Sequence, residues 1–545
     1  MTDEDPMVFG EFTLFPFQAE CVRKLAPVRA SLIGDDMGLG KTAEALGLDI
    51  VRRQNIGRGP FANWDARRSG GRRIPTLVIA PLSPLSDAWA GTIPKMAPEA
   101  RFTIIDPKKR WRFLDALEQG QHDYYLIHWQ GLRFFPELAD LNVIGRAGWF
   151  NVIADEVHRA KNRKAVQTCK LKILSKHTVY KTGLSGTPAD NKPADLWSIL
   201  HWLYPDKYTS YWRFFNTHTE FKVKETQEGR KYKKISGVKN LGELHADMAR
   251  YYIRRRKEDP AINLQLPAKY YSTWWVDLSP TQRRAYDQMR KNMLAWVGEN
   301  EDTPLVAPVA ISKLVRLQQF SVAHVDARKV WKWKKVPFQI ATDPDQVDFI
   351  LKTTKPEHIQ WDRGLIVRIY TEVQETYNIE PSSKCDAAME WLEDSGDQPL
   401  VVFTQFRGVV FLLRERLRNA GVRSSVLVGG MSPDERGLNI EAFQTGDTRV
   451  FVSTIAAGGE GITLTAASTM MFLDREWSPS HNRQAEDREH RIGQKDAVHI
   501  IDVMARNTVD LGRNQDFKAK WTWLQMMLGD KVMDYQLEET GRKAA

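Results

Sequence analysis

Lys41 and Thr42 end the string "GDDMGLGKT" at residues 34–42, and together they have the chemistry to hold a polyphosphate. A turn built on Gly38 and Gly40 ahead of a helix N-terminus points main-chain amides at an anion, a lysine ammonium reaches the β and γ phosphates, and a threonine hydroxyl is a hard ligand for magnesium. The usual loop pattern, G-x-x-x-x-G-K-[S/T], puts glycine where this chain has Asp35. Either the loop is damaged or it is a variant.

Further on, "FNVIADEVHRAKN" ends an apolar run in Asp155-Glu156-Val157-His158. A carboxylate at the C-terminal edge of a strand can hold magnesium while its neighbour orients and deprotonates water, so Asp155 is assigned to the metal and Glu156 to the base. Ser185-Gly186-Thr187-Pro188 follows a third apolar run and is a weaker signal, a strand-to-helix turn by composition. Near the other end, "NRQAEDREHRIGQ" brings Gln484, Arg488 and Arg491 to helical spacing. Arginines three apart share a helix face, and from there they can neutralise charge on a transferring phosphoryl group.

These residues need elements to position them. From Ala30 to Leu203 the short runs "ASLIG", "TLVIA", "RFTIID", "DYYLI", "FNVIAD" and "TVYKTGL" alternate with amphipathic stretches, the rhythm of a parallel sheet with crossover helices. From Pro399 the rhythm returns with "LVVFT", "SSVLV", "RVFVST", "TMMFLD" and "VHIIDV". The fold class expected is therefore α/β, two parallel-sheet lobes. Residues 204–383, rich in Lys, Arg, Trp and Tyr, read as helices and irregular connections, with "LQLPAKYYSTWWVDL" as a strand crossing between lobes. Arg52 to Arg73 reads as an exposed loop, and "RKVWKWKKVPF" interleaves cations with tryptophans.

With 545 residues and 42% hydrophobic content the chain can bury several cores. Its 78 Lys and Arg against 68 Asp and Glu give a net +10, which suits a polyanionic partner. Cys21, Cys169 and Cys385 are too scattered for a disulfide framework or a Cys-x-x-Cys metal site, which points to a reducing, intracellular compartment. The acidic start "MTDEDPMVFG" lacks a signal peptide's basic and apolar regions, and Ser453 to Leu473 reads as strand, loop and strand, so no membrane role is expected.

Taken in order, "FPFQAECV", "GDDMGLGKT", "TLVIAPLSPLSDAW", "DEVHRAKN", "LSGTP", "VVFTQF", "STIAAGGEGITLTAAS" and "QAEDREHRIGQ" resemble the SWI/SNF-type family of superfamily 2 helicase-like ATPases, and "YYIRRRKEDP" with "VDLSPTQRRAYD" looks most like its compact, annealing-helicase-like branch. The family's Asp35 position is acidic, so the loop reads as a variant. The resemblance implies two RecA-like lobes with helical protrusions: lobe one over 1–205, a protrusion over 206–265, a crossing linker, second protrusion and insertion over 266–383, lobe two over 384–510, and a helical tail over 511–545.

The resemblance also implies ATP and Mg2+ as cofactors. Gln18 is similar to the glutamine that reads adenine; Asp36, Met37, Gly38, Leu39, Gly40, Lys41 and Thr42 form the phosphate loop, with Gly461 and Gln484 completing the nucleotide set. Thr42 and Asp155 fall at the metal positions, Glu156 at the base, and Arg488 with Arg491 at the arginine fingers. Pro81 to Trp89, Gln405 to Arg407 and Thr454 to Gly461 resemble segments that grip the DNA backbone, implying double-stranded DNA without sequence preference. A monomer with protein partners for targeting is expected. Glu460 departs from the family pattern, which has an apolar residue there.

The function expected is an ATP-dependent duplex DNA translocase or remodeller. Its rivals are a strand-separating helicase or the motor of a restriction or defence complex, and a nucleotide-controlled DNA-binding scaffold without turnover.

Overall fold

In the strand Thr76–Ala80, Leu77 and Ile79 enter one hydrophobic cluster while Val78 and Ala80 enter another. The same sorting recurs in Tyr124–His128, where Tyr125 and Ile127 face one way and Tyr124 and Leu126 the other. A strand with both faces buried needs apolar side chains at every position, which is why these segments read as unbroken apolar runs. In this computed structural model the parallel strands form two separate sheets. The structure describes residues 6–55, 74–82, 85–106, 109–144, 148–188, 194–225, 231–257, 259, 262, 267–292, 294–297, 303–306, 310–336, 344–362, 365–458, 462–490, 494–511 and 526.

The first sheet has seven parallel strands in the order 252–253, 30–33, 178–184, 149–155, 76–80, 124–128, 102–104. Six come from the runs identified in the sequence. The seventh, Tyr252–Ile253, returns from beyond the lobe to pair with Leu32 and Ile33 at the sheet edge. The second sheet has six parallel strands in the order 269–276, 498–505, 469–472, 400–404, 450–454, 424–427. The crossing segment supplies its edge strand, Lys269–Val276, paired along its length with Val498–Ala505. Leu400 and Val402 pack on one side of this sheet, Val401 and Phe403 on the other.

Parallel sheets bind ligands outside the C-terminal ends of their strands. In the first lobe the register puts three such ends side by side: Ile33 opposite Leu184, and Leu184 opposite Asp155. The loops that follow carry the phosphate-loop string, Ser185-Gly186-Thr187-Pro188 and the acidic pair.

Between the lobes the sequence reading needs amendment. Thr219–Glu225 and Lys231–Val238 form an antiparallel hairpin, and His324–Lys335, Ile359–Asp362 and Leu365–Ile379 form a three-stranded antiparallel sheet, where irregular connections were expected beside the helices. Arg52 and Arg53, expected at the start of an exposed loop, belong to the helix Lys41–Gln54. Arg52 is 1% exposed, its guanidinium donating to Thr182 Oγ1 and to the Leu25 and Val28 carbonyls. The remainder of that loop, 56–73, lies outside the described residues, as does the expected tail apart from residues 511 and 526. Among the described residues no helix is long and apolar enough to cross a membrane.

Candidate nucleotide site

The loop leaving the 30–33 strand turns on two left-handed glycines, Gly38 at φ 84° and Gly40 at φ 83°. Only glycine takes this conformation without steric cost. At Gly40 a Cβ would also stand 2.3 Å from Gln18 Nε2. Gln18 is buried; its Nε2 donates to the Leu39 carbonyl at 2.8 Å and its Oε1 accepts from the Phe15 amide at 3.0 Å. Helix Lys41–Gln54 then begins with Gly40 as its N-cap and no side-chain cap, so its first amides remain for an anion. Lys41 Nζ donates to the carbonyls of Asp35 at 2.7 Å and Asp36 at 3.1 Å, folded over its own loop. Thr42 and Gly38 are partly exposed, while Met37 and Leu39 are buried.

Asp35 has a structural task. Fully buried, it accepts from the Arg255 amide at 3.1 Å and Arg255 Nε at 2.9 Å, and the same guanidinium reaches Glu44 at 2.8 Å and the Phe17 carbonyl. Burial, followed by the Asp35 charge, pushes the Glu44 carboxyl well above its ordinary range. Asp36 pairs with Arg254 at 3.2 Å. Against the cost of burial, Arg254 and then Arg483 of the second lobe hold its carboxyl below the ordinary value. The loop's two acids are thus committed to protein cations.

Asp155 ends its strand fully within the lobe. Its Oδ2 accepts from Trp89 Nε1 at 3.0 Å, its Oδ1 from the Glu156 amide at 2.9 Å, and its carbonyl from Trp129 Nε1 at 2.8 Å. Burial and the neighbouring Glu156 charge raise its carboxyl to about 6. Glu156 sits in the left-handed region, φ 49° and ψ 51°, an uncommon conformation for a non-glycine residue that costs of order 1–3 kcal/mol and clusters at functional sites. Burial alone would raise its carboxyl. The His158 hydrogen bond and charge, with Lys41 and Arg488, bring it to about 2. His158 Nδ1 lies 3.2 Å from Glu156 Oε2 and 3.0 Å from Ser185 Oγ, joining the acidic pair to the Ser-Gly-Thr-Pro turn.

From the second lobe, helix Pro479–Glu486 delivers Gln484, and Arg488 follows in the turn beyond the helix end. Arg488 therefore lies beyond the helix on which spacing had set it. Arg488 is 8% exposed, its Nε donating to the Gln484 carbonyl at 3.0 Å and its NH1 to the Ile462 carbonyl at 3.3 Å. Its charge reaches Glu156 across the cleft. Arg491, Gly461 and Glu460 lie outside the described residues.

Three residues absent from the sequence assignment tie the halves together. After the short edge strand, Arg254 and Arg255 hold the phosphate loop, and Lys257 crosses to the second lobe. Its Nζ donates to Asp487 Oδ1 at 3.0 Å and the His490 carbonyl at 2.6 Å, while its amide donates to Asp36 Oδ2 at 3.3 Å. Burial lowers this ammonium to about 8, in spite of Asp487. The available signal was "RRRK", a cation run directly after an apolar strand end.

Residues 17–323 match the family described as SNF2-related domain, and residues 383–493 match the helicase conserved C-terminal domain. Transcription regulatory protein SNF2 of Saccharomyces cerevisiae is 26% identical over 493 residues, 88% of this chain and 25% of that protein. ATP-dependent DNA helicase DDM1 of Arabidopsis thaliana is 26% identical over 512 residues, 88% of this chain and 56% of that protein. The chain thus spans a quarter to little more than half of these relatives. Among solved structures, the Sulfolobus solfataricus SWI2/SNF2 ATPase core in complex with dsDNA aligns over 98% of this chain and 100% of that one, at 22% identity and a TM-score of 0.40.

Proposed function

The chain belongs to the SNF2-related family, and we propose that it is an ATP-driven motor on double-stranded DNA, hydrolysing ATP to ADP and phosphate between a first lobe at 1–205, which takes its edge strand from 252–253, and a second at 384–510, which takes its edge strand from 269–276. The observation that carries this reading is the cleft: Lys41, Asp155 and Glu156 on one wall and Arg488 on the other, the walls joined where Lys257 Nζ meets Asp487 and the His490 carbonyl.

The donor set suits magnesium, since the Asp155 carboxylate and Thr42 hydroxyl offer hard oxygen ligands alone. Bound there with the nucleotide, the ion would neutralise charge between the β and γ phosphates. Gln18, whose amide bonds the Phe15 amide and the Leu39 carbonyl, would read the adenine. Lys41 leaves the Asp35 and Asp36 carbonyls for the phosphates, an exchange of neutral acceptors for charged ones that strengthens each hydrogen bond. Glu156, kept ionised, orients the attacking water and takes its proton, and Arg488 meets the charge developing on the transferred group. Lobe closure and reopening then move the segments 81–89 and 405–407 against one strand's backbone, where phosphate contacts carry no base information.

The test is phosphate release measured without nucleic acid and with single-stranded DNA, duplex, forked DNA and RNA, with Lys41→Ala as control. Duplex DNA should stimulate most; stimulation by RNA alone would sink the DNA assignment, and absence of turnover would favour a binding scaffold. Displacement of a triplex strand reads translocation, whereas efficient opening of a plain fork would indicate a strand-separating helicase.

A further inference from the structure

The three-stranded sheet at 324–379 stands on the second lobe: Val325 and Ala327 at its root enter that lobe's core, while Val336, Ile350, Ile359 and Ile366 close a small core at its far end. Between these anchors the antiparallel register sets Trp331 opposite Glu372 and Trp333 opposite Tyr370. Residues directly opposite share a face, as do alternate residues along a strand. One face therefore carries Lys329, Trp331 and Trp333 on one strand and Arg368, Tyr370 and Glu372 on the other.

Tryptophans in such an insertion would ordinarily pack on the lobe. Here they pack on their own sheet: ring centroids lie 5.7 Å apart for Trp331 and Tyr370, 5.4 Å for Trp333 and Tyr370, and 5.4 Å for Trp331 and His358. Trp331 remains 53% exposed and Trp333 48%. Strand His324–Lys335 holds five Lys or Arg and one acid, Asp326; alternation puts Lys329 on the tryptophan face and Arg328, Lys332 and Lys334 on the other, where Lys332 pairs with Glu375. Arg368 is exposed, and Lys329 lies 3.4 Å from Glu372 with most of its side chain in solvent.

We propose that this aromatic face is a docking surface for single-stranded DNA, with bases stacking on Trp331 and Trp333 and the flanking cations following the phosphates. Every base has a face that stacks on an aromatic ring, and a basic rim supplies the complementary charge. Nothing about stacking separates DNA from RNA; the choice of DNA rests on the motor reading above. Because the sheet is rooted in the second lobe, a strand held there would travel with that lobe.

The experiment is anisotropy of labelled oligo(dT) with the full chain and no nucleotide, so it does not depend on whether the cleft hydrolyses ATP. Trp331→Ala with Trp333→Ala should weaken binding by about 5- to 150-fold for each stacked base lost. Trp331→Phe with Trp333→Phe keeps the stacking faces and should stay within about threefold of the parent, while duplex-stimulated phosphate release stays unchanged in both. Lys329→Glu with Arg368→Glu leaves the rings in place and should flatten the salt dependence. Oligo(dT) affinity within about twofold of the parent in the alanine variant overturns the proposal. So does tighter binding of oligo(U) than oligo(dT), or loss confined to a polyglutamate probe, which would mark a protein-docking face.

Discussion

The two walls of the cleft are held in opposite ways. On the first lobe, buried carboxylates are bound by the arginines that directly follow that lobe's edge strand 252–253: Asp35 by Arg255 and Asp36 by Arg254. On the second, Arg488 is oriented by main-chain carbonyls, and the adjacent Asp487 is shared between Lys269 of its own lobe at 3.2 Å and Lys257 across the cleft at 3.0 Å. The first wall is cross-linked by its own ion pairs, whereas the second is positioned partly through the first. A phosphate site must be preorganised to bind, and an arginine delivered by lobe closure need only arrive. Residues 254–257 serve both ends, anchoring the loop with two arginines and reaching over with one lysine.

Removing the delivered group should have the largest effect. In the proposed motor Arg488→Ala should lower duplex-stimulated kcat by about 10³-fold or more, while ATP affinity stays within about threefold, since the first wall keeps its contacts. Single-turnover phosphate release and nucleotide binding measured on the same variant separate the two. Loss of binding as large as the loss of rate would mean both walls hold the ground state, and the contrast between them would fail.

On the first wall the informative change is Asp35→Gly, which restores the usual phosphate-loop glycine. If Asp35 were a defect, this would be neutral or beneficial. As the buried partner of Arg255 its loss should destabilise the fold by about 3–5 kcal/mol, read as a lower denaturation midpoint at unchanged slope. Arg255→Lys should cost stability as well, because one ammonium cannot replace the guanidinium's contacts with Asp35, Glu44 and the Phe17 carbonyl.

The link between the walls comes next in size. Lys257→Met removes the contacts to Asp487 and the His490 carbonyl without adding a charge. Displacing catalytic groups by about an ångström can cost about 10²-fold in rate, so duplex-stimulated turnover should fall by about that factor with ATP binding retained. A variant that turns over normally would show that Arg488 reaches its place without the lysine.

The sheets and the phosphate loop were legible in the sequence because each has a local signal. A strand buried on both faces is an apolar run, and a phosphate loop is a spacing of glycines and a lysine. Asp35 was not legible, since its partner Arg255 lies 220 residues away. The sheet at 324–379 was missed for a related reason. In "RKVWKWKK" Trp331 and Trp333 do alternate with lysines, but with both faces largely in solvent the pattern reads equally as a basic, aromatic segment of no fixed element. Helical spacing placed Arg488 on a helix that ends at Glu486, because spacing fixes a face only while the helix lasts.

The smallest effect sharpens the contrast from the second wall. His490 is buried beside the Lys257 contact, its Nε2 in hydrogen-bond contact with the Pro267 carbonyl at 2.8 Å. Burial, then the charges of Lys269 and Lys257, lower its imidazole from 6.5 to about 4. Unfolded chains therefore take up the proton first, so stability from this group is whole above about pH 6.5 and is lost as pH falls towards about 4. Between about pH 6.5 and about pH 4.5 the loss should be about 2 kcal/mol. Carboxylates titrate in the lower part of that range too, so the measurement is a difference: thermal midpoints over the interval for the parent and for His490→Gln. The variant cannot titrate there and should show the shallower fall. Equal slopes would mean that the buried imidazole contributes nothing to the acid sensitivity of the junction. A shallower slope accompanied by unchanged nucleotide affinity would place that sensitivity in the second wall and its lysine link, leaving the phosphate loop outside it.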